Sequence, residues 1–135
     1  MALLHSSITD RIIKVYYDVY SELGCGFLES LYEKAMEMAL IEAGLKVCRQ
    51  KDVHVFFRGR ILSEFRVDMV VEEAVILEFK SCKALEDWHA SQLINYLRST
   101  KFEVGMLFNF GPSPEFRRLA FSNSRKRFPE GQNPE

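Results

Sequence analysis

Apolar residues recur at three- and four-residue steps over residues 8–23, where Ile8, Ile12, Val15, Tyr16, Val19 and Leu23 fall on one face. That spacing predicts an amphipathic helix, with Ser7 as its capping residue and Gly24 as its stop. After the break Gly24-Cys25-Gly26 a second helical pattern begins, with Leu28, Leu31, Ala35 and Met38 or Ala39 as its apolar stripe and Gly44 as its end. Glu29 stands in the first turn of that helix, where the helix dipole favours a carboxylate for no further reason than charge complementarity.

Over residues 47–80 the texture changes to β-branched and aromatic residues, with Val53, Val55, Phe56 and Phe57 in one run and Gly59 as a turn. A second strand is expected over 61–71 and a third over 75–80, joined through Glu72-Glu73-Ala74. Both carry apolar residues on both faces, which places them inside a sheet. Residues 87–100 return to helical spacing, with Ala90, Leu93, Ile94 and Leu97 as the apolar stripe and His89, Gln92 and Tyr96 on a neighbouring face. A fourth strand over 103–110 and a short one over 117–122 follow. The order α-α-β-β-β-α-β-(β) predicts an α+β fold, a mixed sheet of 4–5 strands flanked by helices, with one domain over 1–122 and a disordered tail over 123–135.

Composition narrows the function. A chain of 135 residues, 47% hydrophobic, supports one core, and 18 Lys+Arg against 19 Asp+Glu exclude both a globally basic binder and an acidic disordered chain. Any affinity for nucleic acid must then come from a local patch. No apolar run approaches the ~20 residues of a membrane span. Residues 1–10 lack the basic-then-apolar order of a signal peptide, so a cytoplasmic protein without membrane contact is expected. Cys25, Cys48 and Cys82 are odd in number and widely spaced, which suits reduced, mostly buried thiols better than disulfides or zinc.

Three charges interrupt the apolar strands: Asp68, Glu78 and Lys80. Unpaired charges in such a setting cost several kcal/mol, so they need partners or a metal. Glu78 and Lys80 are two apart and share a face. Asp68 joins them only if 72–74 form a three-residue loop, so that Val71 pairs with Val75 and Asp68 lies across from Glu78; a two-residue turn sends it to the other face. In the first register two carboxylates converge, and an oxygen-rich site of this kind suits Mg²⁺ or Mn²⁺. Such an ion stabilises charge on a phosphoryl oxygen, with Lys80 placed to orient an attacking water and Glu29 to complete the shell from the helix.

Taken singly these signals are weak. The D-x(9)-E-x-K spacing also fits an ordinary partly exposed ion cluster. Gln92 and Tyr96 read by default as solvated helix residues, His89 as a surface histidine and Trp88 as a packing residue. Arg125-Lys126-Arg127 with Arg117 and Arg118 reads as a solubilising set that could also hold phosphates. Together, however, the polar residues come from separate elements and fit one site.

Five blocks carry a family resemblance: Gly26-Phe27-Leu28-Glu29-Ser30-Leu31-Tyr32; the segment 66–71 around Asp68; the segment 75–80 with Glu78 and Lys80; the segment 89–98 with His89, Gln92 and Tyr96; and the segment 104–110. In that order, across residues 8–122, the chain resembles the GxxExxY proteins, a group within the PD-(D/E)XK nuclease superfamily. The resemblance implies a restriction-endonuclease-like core, Asp68 and Glu78 as the metal-binding acids, Lys80 as the catalytic lysine and Glu29 as a helix-borne acid that adds to the metal site. It also implies that Gln92 and Tyr96, with His89 beside them, face the substrate.

The expected function is a Mg²⁺- or Mn²⁺-dependent nuclease acting on DNA, in repair, recombination or defence. The alternative is a non-catalytic binding or assembly module that keeps the nuclease fold as a scaffold, and a nucleotide- or RNA-directed hydrolase would share the same site. With little surface to grip DNA, so small a domain is also a candidate for a homodimer or a protein partner that completes a groove.

Overall fold

The computed structural model describes residues 4–126. Helices α1 (Ser6–Leu23) and α2 (Glu29–Glu42) precede strands β1 (Val47–Phe57), β2 (Arg60–Val71) and β3 (Val75–Lys80); helix α3 (Asp87–Ser99), β4 (Val104–Phe110) and β5 (Pro114–Ala120) complete the fold. The strands form one sheet in the order β1-β2-β3-β4-β5. Only the β3–β4 pair is parallel, its crossover made by α3, and the other three pairs are antiparallel. This is the mixed sheet with flanking helices that the residue pattern predicts.

α1 and α2 cover one face of the sheet around Ile12, Tyr16, Tyr32, Met36, Leu40, Phe79, Phe108 and Phe110. α3 covers the other, around Val67, Ile76, Leu93, Tyr96, Leu97 and Leu107. β4 lies between β3 and β5 and is buried along its whole length, as a strand covered on both faces must be.

Several local expectations are corrected. Ser7 lies within α1 and does not cap it; His5, in a left-handed conformation, holds that position without a side-chain bond. The buried face of α2 is Tyr32, Glu33, Met36 and Leu40, whereas Leu28 and Met38 of the expected stripe are 79% and 64% exposed. α2 has apolar residues all round, so periodicity could not set its phase. On α3, His89 and Tyr96 belong to the buried face with Leu93 and Leu97. The last strand lies earlier than expected, at Pro114–Ala120. Cys25 and Cys48 are exposed, and all three cysteines are free thiols.

Residues 123–126, expected to fray, form a short turn of 3-10 helix, Asn123–Arg125, fastened where Lys126 Nζ donates to the carbonyls of Thr100 and Phe102 at 2.8 and 2.6 Å. The rest of the expected tail, 127–135 with Arg127, lies outside the described residues. Among the described residues no helix is long and apolar enough to cross a membrane.

Candidate active site

The turn after β2 decides which way Asp68 points. Glu72 and Glu73 both adopt positive φ, 54° and 53°, and Ala74 N donates to Val71 O at 3.0 Å. Left-handed backbone is unfavourable for glutamate, and here both side chains are held by one residue, Lys46, whose backbone N–H donates to Glu72 at 2.8 Å and whose ammonium meets Glu73 at 2.9 Å. Ala74 is then the extra residue of the loop, Val71 pairs with Val75, and Asp68 falls opposite Glu78, the register on which the convergence of the acids depends.

The β2–β3 ladder runs only from Val71↔Val75 to Met69↔Leu77. Beyond it the strands are joined through side chains. Phe79 N–H donates to Asp68 Oδ2 at 2.8 Å, and Asp68 N–H donates to Glu78 Oε1 at 3.4 Å. The opposite neighbour of Asp68 is also irregular: Arg49 pairs with Met69 and Lys51 with Val67, but Gln50 between them makes no pair and has φ 53°. Across this step β2 turns its faces over, since Phe65 and Val67 pack on the α3 side whereas Met69 and Val71 pack on the α1–α2 side. Asp68 therefore sits in a notch where the sheet is opened on both sides of its strand.

Electrostatics in the notch is dominated by the two acids. Burial, then the neighbouring Asp68 charge and a hydrogen bond shared with it, push the Glu78 carboxyl up to about 8, against a smaller opposing pull from Lys80. Asp68 is also raised, by burial and then by the charge of Glu33, although its bonds from Phe79 N–H and with Glu78, and the charge of Lys80, act the other way. The pair shares a proton at neutral pH, and Lys80 is the cation that acts on both members.

From α3, Tyr96 reaches the same place. Its phenol is raised by burial and then by the charges of Glu78 and Asp68, and it is hydrogen-bonded to Gln92 one helical turn earlier. Tyr96 also packs against Phe65 of β2, ring centroids 4.6 Å apart. Asp68, Glu78, Lys80, Tyr96 and Gln92 are thus brought together.

Glu29 and His89 are placed otherwise. Glu29 accepts a hydrogen bond from Ser81 N–H at 3.3 Å, so it fastens the residue after Lys80 and does not join the acidic pair. Among the described residues no cluster of three or more His, Cys, Asp or Glu is arranged to hold a metal ion. The donor set present is two carboxylates, which fits a hard cation such as Mg²⁺ that keeps much of its water and needs one or two protein carboxylates. His89, expected to face substrate, accepts a bond from Glu86 N–H at 2.9 Å through Nδ1 and so caps its own helix.

Two residues that sequence reasoning passed over shape the notch. Glu33, 7% exposed, accepts from Arg49 Nε at 3.1 Å and from Gln50 Nε2 at 2.6 Å, so it pins both residues beside the break in β1. It lies one turn after Glu29, and phasing α2 on Tyr32, Met36 and Leu40 would have put it on the core side. Asn109, wholly buried on β4 and paired with Lys80, binds the loop after β3 twice: its Oδ1 accepts from Cys82 N–H at 3.0 Å and its Nδ2 donates to Cys82 O at 2.9 Å.

The motif residue Tyr32 is structural. Its hydroxyl donates to Gly24 O at 2.6 Å and accepts from Phe27 N–H at 3.2 Å, while its ring stacks on Phe110 at 4.1 Å. Gly26 has φ 110° in the loop so closed, a conformation that side chains disfavour.

The basic set offered as a phosphate holder is engaged elsewhere. Arg117 pairs with Asp87 at 3.1 Å, Arg118 donates to Leu4 O, Arg125 lies over the Phe121 ring at 4.5 Å, and Lys126 is fastened as described above.

Comparison with known proteins agrees with this architecture. Among curated proteins none matches the chain in sequence. Among solved structures it is similar to SSO0001, with 16% identity and a TM-score of 0.56, over 69% of this chain and 50% of that one. The chain therefore spans half the length of SSO0001, and the likeness is one of fold. A second similar structure is an alkaline exonuclease, LHK-Exo, from Laribacter hongkongensis, at 11% identity and a TM-score of 0.43, over 91% of this chain and 74% of that one. The family model of the PD-(D/E)XK nuclease superfamily matches residues 6–119, nearly the whole of the described fold, and this chain belongs to that superfamily.

Proposed function

We propose that this protein hydrolyses phosphodiester bonds of DNA with the help of Mg²⁺ or Mn²⁺, as a nuclease of repair, recombination or defence. The observation that carries the reading is the convergence of Asp68 and Glu78 in the notch, where Phe79 N–H donates to Asp68 and Asp68 N–H donates to Glu78, with Lys80 as the nearby cation and Tyr96 and Gln92 on the adjoining helix. Two acids that hold a proton near neutrality form a place that a divalent cation can take over. The ion, held by Asp68 and Glu78, supplies charge stabilisation at the scissile phosphate.

The remaining work falls to the chain itself. Lys80 orients the attacking water and holds its place because Asn109 and Glu29 fix the residues that follow it. Tyr96 and Gln92 line the α3 side and steer the nucleic-acid backbone. Glu29 acts in this reading as a positioning residue for the end of β3, and His89 as the cap of α3.

The test is cleavage of labelled single-stranded, duplex and branched DNA and RNA with Mg²⁺ or Mn²⁺. Asp68→Ala and Lys80→Ala should each lower the rate at least about 100-fold, the size usual for loss of a group that stabilises transition-state charge, with unchanged circular dichroism. Cleavage of DNA at wild-type rates by Asp68→Ala would overturn the assignment. Absence of cleavage together with no Mn²⁺ binding at millimolar concentration in calorimetry would make the fold a scaffold.

A further inference from the structure

The β1–β2 hairpin outruns the sheet. β2 pairs with β3 only from Met69 to Val71, whereas β1 and β2 stay paired out to Phe57↔Arg60. The outer ribbon is an arm, and its end exposes Phe57, Ile61 and Leu62 at 52%, 51% and 64%. Isolated exposed apolar side chains need no explanation, but three at one projecting tip do.

The turn at that tip is made by Arg58 and Gly59, with φ 50° and 77°. Two-residue turns with both residues left-handed favour Asn-Gly or Asp-Gly, and arginine is unfavourable in that conformation. Arg58 lies over the Phe57 ring, its guanidinium carbon 4.9 Å from the centroid. Within the arm Asp52 is paired with Arg66 at 3.1 Å, and Glu64 lies 3.2 Å from His54. Residues 53–63 contain Arg58 and Arg60 and no acid, and among the described residues neither arginine meets a carboxylate.

We propose that this arm is a nucleic-acid-binding element, in which Arg58 and Arg60 hold backbone phosphates while Phe57, with Leu62 on the same face of the ribbon, wedges against a base step of a duplex. A two-stranded ribbon fits a groove, and apolar wedges beside arginines suit base steps. A second copy of this chain is the poorer occupant, because meeting tip to tip would bring four unneutralised guanidiniums together. The assignment deepens the nuclease reading and rests on it for placing one polymer at both the arm and the notch. From Asp68 to Arg60 the strand spans about 26 Å at 3.3 Å per residue, which corresponds to roughly eight base pairs at 3.4 Å each. A duplex that follows β2 therefore meets the arm about eight base pairs away from the acids, and a shorter piece reaches the arm or the acids but not both.

The experiment is fluorescence anisotropy of labelled 6- and 20-base-pair duplexes with the full chain in EDTA, comparing wild type with Phe57→Ala, Arg58→Asn and Arg60→Ser. Arg58→Asn puts at the turn the residue that such turns favour, so loss of folding cannot account for its effect; thermal melting monitors the other two. On the longer duplex, Phe57→Ala should weaken binding about fivefold or more, the size of one lost base–aromatic contact. Each arginine variant should reduce the slope of log K against log salt by about one. On the 6-base-pair duplex, long enough to lie on the arm alone, the same variants should weaken binding as well.

Wild-type affinity and slope for all three variants on the longer duplex would overturn the proposal. Sedimentation showing a wild-type dimer that Phe57→Ala dissociates would assign the arm to protein contact instead. Because the binding assay contains no divalent ion, a wild type that binds DNA through the arm yet cuts nothing in the separate cleavage assay with Mg²⁺ or Mn²⁺ overturns the nuclease reading alone.

Discussion

Replacing Glu78 by glutamine should abolish cleavage and at the same time stabilise the metal-free protein at pH 8. Glutamine has the shape of a protonated glutamate and can keep both bonds of the notch, accepting from Asp68 N–H and donating to the Asp68 carboxylate. In the wild type, Glu78 releases its proton at about 8 in the folded chain, because of burial and the Asp68 charge, against 4.5 when unfolded. Below 4.5 both states hold the proton and the group adds no pH dependence. Between 4.5 and 8 the unfolded chain gives it up and the folded chain retains it, so stability falls as pH rises through that window. At 1.36 kcal/mol per pH unit the full loss is roughly 5 kcal/mol, of which about 3 kcal/mol is reached by pH 7.

At about 3 °C per kcal/mol for a chain of this size, the variant should melt up to about 10 °C above wild type at pH 7. Water reaching the partly exposed carboxyl reduces that figure but leaves its sign. At pH 4 the two should melt together. Differential scanning fluorimetry in EDTA from pH 4 to 8 reads the difference directly, and titrating groups other than Asp68, the partner in the shared proton, cancel between the two proteins. A difference that stays flat with pH, or a wild type that is the more stable of the two at pH 8, would refute the shared proton. Millimolar Mn²⁺ should then raise the wild-type melting temperature and leave the variant unmoved, because only the wild type offers both carboxylates.

Other changes test how the notch is held. Asn109→Ala removes both bonds to Cys82 and leaves its buried groups unmatched, which should cost about 2 kcal/mol in urea unfolding and lower kcat more than KM, since Lys80 loses its anchor and the substrate surface does not. Gly111→Ala should be worse tolerated: its Cβ would stand 2.2 Å from Cys82 O and 2.7 Å from Asn109 Nδ2, so the same loop must move. A loss of 2 kcal/mol or so in chemical unfolding is expected, and wild-type stability would contradict the packing described. Tyr32→Phe keeps the stack on Phe110 and loses the bonds to Gly24 and Phe27, so unfolding should become easier by about 1 kcal/mol, while wild-type values would show that the hydroxyl does not close that loop.

How far the sequence spoke depends on how one-sided each element is. The β2–β3 register was readable because Glu72-Glu73-Ala74 left two arrangements and only one brought Asp68 and Glu78 to the same face. α2 was misphased because it is apolar on the solvent side as well, at Leu28, Met38 and Ile41, so the buried acid Glu33 went unnoticed. The break at Gln50 has no glycine or proline to announce it; it exists because Glu33, from another element, draws the Gln50 and Arg49 side chains out of an ordinary ladder. Asn109 looked like any polar residue near a strand end until the loop it binds was in place. The basic residues near the chain end misled for the same reason, their partners Asp87, Thr100 and Phe102 being remote in sequence.

The charges around the notch explain why it is suited to a phosphodiester. Arg49 is shared between Glu33 and Glu37, at 3.1 and 3.6 Å, and so adds no positive charge to the notch. What remains is Asp68 and Glu78 against Lys80, and the proton that the two acids share makes the set neutral. Exchange of that proton for a divalent cation leaves one net positive charge, the complement of a single phosphodiester group. A monovalent cation would leave the notch neutral, and loss of Lys80 would leave it neutral even with the divalent ion present. On the function proposed above, Lys80 contributes to substrate affinity as well as to orienting water, so Lys80→Met should raise KM together with its fall in kcat, whereas Lys80→Arg should recover the KM effect first.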